Sequence, residues 1–136
     1  MKIVLIRSPL NNSITSKIYK IGRGAFYAME ENCLIEYVHH VFSAYWSELR
    51  DISQDDELRK ILVEVGLDAD TYFAKINDPV YKEKLKANTE ELIQRGGFGS
   101  PTLFLSGDDM YFGNDRLILI ESLIAENPIA ESTKVN

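Results

Sequence analysis

Apolar residues recur every three or four positions through most of residues 13–95, and after Gly96 the period shortens to that of strands. From Ser13 onward, Ile14, Ile18, Ile21, Ala25, Tyr27 and Ala28 predict a helix, with Gly22 and Gly24 inside it as places where a neighbour could pack closely. Leu34, Tyr37, Val38, Val41, Phe42, Tyr45, Trp46 and Leu49 make a broad apolar face over 33–49, which predicts a core helix. Ser53 precedes Asp56 at capping-box spacing, and the stripe Leu58, Ile61, Leu62 and Val65 then ends at Gly66. Two more helices are predicted over 69–76 and 79–95. The second has Asp78 as its N-cap and Pro79 at the first helical position, where no N–H is needed.

Gly96-Gly97 stops that helix. Thr102 to Leu105, a turn over 106–109 and the run 110–112 then predict a β-hairpin. Gly113 and Asn114 introduce a final helix over about 115–125, and the polar stretch 126–136 is expected to fray. At the other end, residues 1–7 have the composition of a short strand, cut off by Pro9 and Asn11-Asn12. There is no internal repeat and no low-complexity tract. The pattern is that of an α/β chain, read as one domain over 1–136.

Composition narrows the function classes. An apolar content of 45% in 136 residues suits a single soluble core. Lys and Arg total 15 against 21 Asp and Glu, and the net charge of −6 includes no basic cluster to neutralise phosphates, so nucleic acid is not expected as a partner. The longest apolar runs fall far short of the roughly 20 residues of a membrane helix, and the N-terminus lacks the apolar region of a secretory signal. The expected location is cytoplasmic. One cysteine, Cys33, fits a reducing compartment and excludes a Cys-x-x-Cys pair within these residues. His39 and His40 are adjacent and diverge by about 100° on a helix, so no metal site is expected.

The informative stretch begins at Gly96-Gly97-Phe98-Gly99-Ser100-Pro101-Thr102. It places a proline after a glycine-rich loop and directly before a strand, where an X-Pro bond can be cis. A cis Ser100-Pro101 bond would present the backbone N–H and C=O of Ser100 to an extended peptide, as a sheet edge does. About a dozen residues later, Phe112-Gly113-Asn114-Asp115-Arg116 opens the last helix, whose N–H groups suit a carboxylate. Asp115 adds an acceptor for an ammonium group. Together these are what an α-amino acid head group needs.

Several runs carry a family resemblance: Asp78-Pro79-Val80-Tyr81-Lys82, the following Lys84-Leu85-Lys86 and Thr89-Glu90, Gly97-Phe98-Gly99-Ser100-Pro101-Thr102, and Phe112-Gly113-Asn114-Asp115-Arg116-Leu117. In order and spacing they resemble kappa-class glutathione transferases and bacterial 2-hydroxychromene-2-carboxylate isomerases. Pro9-Leu10-Asn11-Asn12-Ser13, the Phe42 to Trp46 segment and Asp51-Ile52-Ser53 resemble the helical insertion of that family.

The resemblance implies the C-terminal part of a DsbA-like, thioredoxin-like fold: a large helical insertion over 13–96, then a cis-Pro loop, hairpin and last helix over 97–125. It implies glutathione as cofactor and a small aromatic or electrophilic substrate. Ser100 and Pro101 would bind the cysteinyl segment, and Asn114 and Asp115 the γ-glutamyl group. The family's N-terminal βαβ unit and its thiol-activating serine have no counterpart here, since Ser8-Pro9 belongs to a later match, so no catalytic residue is assigned. Weakened or absent turnover, and a homodimer or complementing chain that covers the hairpin edge, are the corresponding expectations.

Plainer readings stand beside these. Asn114-Asp115 also suits an ordinary helix cap, and Ser100-Pro101 a turn before an edge strand. Cys33 reads as a small packing residue, and Phe42, Tyr45 and Trp46 as core. The functional alternatives are a non-catalytic remnant or partner-binding fragment, and a DsbA-like thiol oxidoreductase, which the lack of Cys-x-x-Cys opposes.

Overall fold

The computed structural model describes residues 12–105 and 107–126, with side chains from Tyr19 onward. The predicted strand at 1–7 and the tail at 127–136 lie outside the described residues. Six α-helices are described: α1 (Asn12–Glu30), α2 (Leu34–Phe42), α3 (Asp55–Val65), α4 (Ala69–Asn77), α5 (Pro79–Gln94) and α6 (Leu117–Glu126). Strands β1 (Thr102–Leu105) and β2 (Asp109–Phe112) form one antiparallel hairpin. Described residues up to Asn88 make one compact unit and those from Thr89 another. No described helix is long and apolar enough to cross a membrane.

In the first unit α1 packs on α2 and α4, and α2 on α3. Leu58, Ile61 and Leu62 of α3 and Tyr72 and Ile76 of α4 are wholly shielded, as the stripes require. At the centre Tyr37 and Tyr72 meet hydroxyl to hydroxyl at 2.8 Å. The Tyr37 hydroxyl also reaches the Ile21 carbonyl at 3.1 Å, and that of Tyr72 the Lys20 carbonyl at 3.2 Å. The two hydroxyl protons can fill two of these three contacts at a time, and no charge is buried. Gly24 is what admits the Tyr72 ring, because any side chain there would run into the phenol.

The helix boundaries follow local chemistry. Gly66 closes α3 in the left-handed conformation at φ +79°, and Asp68 caps α4 by accepting the Thr71 N–H at 2.7 Å. Asp78 opens α5 as expected, its carboxylate accepting the Val80 N–H at 2.8 Å. Ser53 does not cap α3. Gln54 holds that position, while Ser53 donates its own N–H to Asp51 at 3.1 Å.

A second departure concerns 33–49. The helix continues past Phe42 as a π-helical turn over Ser43–Ser47; Tyr37, Val41 and Ala44 are buried in the core, with Cys33 and Leu34 partly buried against it. Phe42, Tyr45, Trp46 and Leu49, expected inside, are exposed.

Glu30, at the end of α1, ties this helix to α4 and α5. Its carboxylate accepts from Lys75 at 2.7 Å, the Tyr81 hydroxyl at 2.5 Å and Lys84 at 2.9 Å. These donors, Lys75 foremost, hold the carboxyl down at about 2. A lowered folded-state value adds stability above the unfolded value near 4.5, which is lost as pH falls toward 2. With the side chain 37% exposed, solvent screens much of it. Glu30→Gln is expected to cost about 1 kcal/mol at pH 7. In urea titrations at successive pH values, the gap between variant and parent should close between pH 4.5 and 2. A gap independent of pH would mean that packing, not charge, is what the substitution removes.

Candidate functional site

The second unit turns α5 into the hairpin and then into the last helix. Gly96, at φ +84°, ends α5, and the Gly97 N–H reaches back to the Leu92 carbonyl at 2.8 Å. Leu92 is buried with Phe104, and Met110 packs against them. Arg95 fastens the hairpin tip to α5: its guanidinium lies 3.6 Å from the Phe104 ring centroid, donates to the Gly107 carbonyl at 2.5 Å and pairs with Asp108 at 3.0 Å and Glu91 at 3.2 Å.

The Ser100-Pro101 peptide bond is cis, as the family resemblance implied. Thr102, nearly fully buried, donates its hydroxyl to the Gly99 carbonyl at 2.6 Å and so closes the loop. Thr102 is paired with Phe112, and the next step of the ladder is the Gly113 N–H donated to the Pro101 carbonyl at 3.0 Å. Antiparallel register therefore brings the two predicted halves together, Ser100-Pro101 on one strand end and Asn114-Asp115 beyond the other. Ser100, Pro101, Asn114 and Asp115 are all exposed.

The Gly113–Leu117 segment differs from the expected simple helix start. Asn114–Arg116 form a single 3-10 turn, with the Arg116 N–H on the Gly113 carbonyl at 3.3 Å and the Leu117 N–H on that of Asn114. The N–H groups at the entrance of the turn are thus those of Asn114 and Asp115. Gly113 makes the turn possible: at φ +101° and ψ 151° it occupies a region open essentially to glycine alone, and a methyl there would meet the Asp115 carboxylate. Arg116 lies 3.6 Å from Asp115, both largely solvated, which leaves the carboxylate accessible.

Two aromatics complete the surroundings. Phe98 and Phe112 pack at a tilt of 44° with centroids 4.7 Å apart, and Gly99 lies so close to Phe112 that a side chain could not fit. Phe98 is 70% exposed and Phe112 41%. The sequence reading assigned neither them nor Arg95 a role. Their position in the glycine-rich run and beside Gly113 was the available signal.

Cys33 is partly buried beside the first unit's core, where desolvation, with Glu36 and Glu31 nearby, pushes its thiol up rather than toward the reactive thiolate. A polar depression lined by Lys20 and residues 53–56 belongs to that unit, and its facing charges Lys20 and Asp55 satisfy each other at 2.6 Å. Among the described residues no group of acidic, histidine and cysteine side chains could hold a metal ion.

Comparison with known proteins agrees with this architecture. Residues 7–125 match the family model of the DSBA-like thioredoxin domain. The chain is 37% identical over 105 residues to a 2-hydroxychromene-2-carboxylate isomerase of Pseudomonas putida, covering 76% of this chain and 50% of the relative. It is 31% identical over 87 residues to human glutathione S-transferase kappa 1, covering 60% of this chain and 38% of the relative. The solved structure of a 2-hydroxychromene-2-carboxylate isomerase superposes with a TM-score of 0.71 at 29% identity, over 90% of this chain and 58% of that one. The chain thus spans about half the length of the curated isomerases it matches.

Proposed function

The chain belongs to the DSBA-like thioredoxin domain family, and on that premise we propose that it supplies the peptide- and head-group-binding half of a glutathione site in a protein resembling 2-hydroxychromene-2-carboxylate isomerase and kappa-class glutathione transferase. The observation that carries this reading is the bond from the Gly113 N–H to the Pro101 carbonyl, which joins Ser100-Pro101 to Asn114-Asp115. A tripeptide with an amino acid head group needs a backbone edge and, beside it, an anion acceptor for the ammonium and N–H donors for the carboxylate. Ser100 offers the backbone, Asp115 the acceptor, and the entrance of the 3-10 turn the donors.

The fit is chemical as well as geometric. All four residues are exposed. Glutathione would contribute a thiol nucleophile; the residues described here bind and orient it, and none of them is assigned to deprotonate it. The exposed Phe98-Phe112 pair gives the neighbouring surface an apolar, aromatic character suited to a flat co-substrate.

Titration of the isotopically labelled chain with reduced glutathione tests the reading. Amide shifts are expected at Ser100, Asn114 and Asp115. Asp115→Asn should weaken binding about fivefold, which is the loss of one solvated charge-assisted bond. Cysteinylglycine, lacking the γ-glutamyl group, should still move Ser100 but leave Asn114 and Asp115 in place. Absence of any shift at these residues up to millimolar ligand overturns the proposal.

A further inference from the structure

The charge balance of the second unit is unfavourable to an anionic ligand. Over residues 89–126 seven acidic side chains stand against two cations, Arg95 and Arg116. Glutathione is itself an anion, with two carboxylates to one ammonium, so a carboxylate placed there is repelled unless a cation lies beside it. Arg95 is taken up at the hairpin tip, where Glu91, Asp108 and the Gly107 carbonyl hold it. Arg116 is not. Its guanidinium makes no hydrogen bond among the described residues, and its ion pair there is the loose contact of Nε with the Asp115 carboxylate at 3.6 Å.

Helix stability does not account for an arginine at this position. Arg116 ends the 3-10 turn and directly precedes α6, so its charge lies at the positive end of that helix, where the peptide dipoles disfavour a cation. The first turn of α6 holds no acidic residue to offset it. Only Asp115, one residue earlier, does so. More than half of the Arg116 side chain is in water, so packing gives little reason for it either.

Given the glutathione reading, on which this rests, we infer that Arg116 is the cation for the α-carboxylate of the γ-glutamyl group, and that Asp115 and Arg116 together read an α-amino acid zwitterion. In the free chain the two side chains satisfy each other weakly. The ligand exchanges that one pair for two: its ammonium goes to Asp115 and its α-carboxylate to the guanidinium, whose fork of N–H groups suits a carboxylate better than a lysine would. The same carboxylate is shared with the backbone N–H groups at the entrance of the turn. An amine lacking the carboxylate would have to displace Arg116 from Asp115 with nothing to offer it in return. The ligand class is therefore γ-glutamyl peptides whose head group is free at both ends.

Titrations of the labelled chain, followed at the Ser100, Asn114 and Asp115 amides, test this with reduced glutathione and with glutathione amidated at the α-carboxylate. Arg116→Gln should weaken glutathione about fivefold to tenfold. Amidated glutathione should bind the parent at least that weakly and lose nothing further in Arg116→Gln, because both changes remove one contact. Arg116→Lys, which keeps the charge without the fork, should fall between parent and Arg116→Gln. Added salt should cost the parent more affinity than it costs Arg116→Gln. Equal affinity of parent and Arg116→Gln for glutathione, or additive losses from substitution and amidation, would overturn the role of Arg116 and leave the site standing. A parent that shows no shift at any of the three amides removes the site itself, and the role of Arg116 with it.

Discussion

Tyr72→Ala is expected to lower the stability of the chain by about 4 kcal/mol, the range found when a large buried aromatic is truncated and its cavity persists. The phenol is fully shielded at the junction of α1, α2 and α4, against Tyr27, Tyr37 and Phe73. Its wall on the α1 side is the bare backbone of Gly24, which cannot move in to fill a void. Tyr72→Phe keeps the ring and removes the hydroxyl that touches Tyr37 and the Lys20 carbonyl, at an expected cost of about 1 kcal/mol. Chemical denaturation followed by helical circular dichroism separates the two. Equal losses would place the energy in the hydroxyl network instead of the packed ring.

The same pair sets an alkaline limit. Burial pushes Tyr72 up to about 12, and Tyr37 is driven well above its ordinary value by burial and by its neighbour. The folded state therefore holds these protons after the unfolded state has released its own. The resulting stability is complete below pH 10 and is lost as pH rises from 10 toward 12. Tyr72→Phe should flatten part of that decline.

Gly113→Ala is expected to abolish the head-group half of the proposed glutathione site and to cost about 1–3 kcal/mol locally, because its φ of +101° with ψ of 151° is inaccessible to alanine without strain. Any shift that relieves the strain displaces the Gly113–Pro101 hydrogen bond, and the new methyl presses on Asp115. Gly66→Ala is the matched control. That glycine also has positive φ, but nothing lies within 4 Å of an added methyl, so a cost of about 1 kcal/mol and intact glutathione shifts are expected. If Gly113→Ala binds glutathione like the parent, the turn does not position the ligand and the site is wrongly placed.

Much of the helical order was legible because its determinants are local. The Leu58–Ile61–Leu62 stripe, the stop at Gly66 and the Asp78-Pro79 start each act within one or two turns, and each recurs in the structure. Ser53 misled because its hydroxyl had a nearer acceptor: it hydrogen-bonds Asp51 within the preceding turn, leaving Gln54 to begin α3. The face of the 33–49 helix was misjudged for a different reason. Both of its sides are apolar, and periodicity reports that a face is apolar without reporting whether anything lies opposite it.

By itself, then, the sequence determined the helices, the hairpin and its turn, the proline at the entrance of β1 and the DSBA-like family, since these depend on spacing, capping and short motifs. Only the tertiary structure decided that Trp46 and Leu49 stand in water while Tyr37 and Tyr72 are hydrogen-bonded in the core, that the Ser100-Pro101 bond is cis, and that a Gly113–Pro101 bond joins two segments a dozen residues apart. The physical reason is that burial and strand register are set by which surfaces meet, and that is a property of pairs of segments rather than of any one of them.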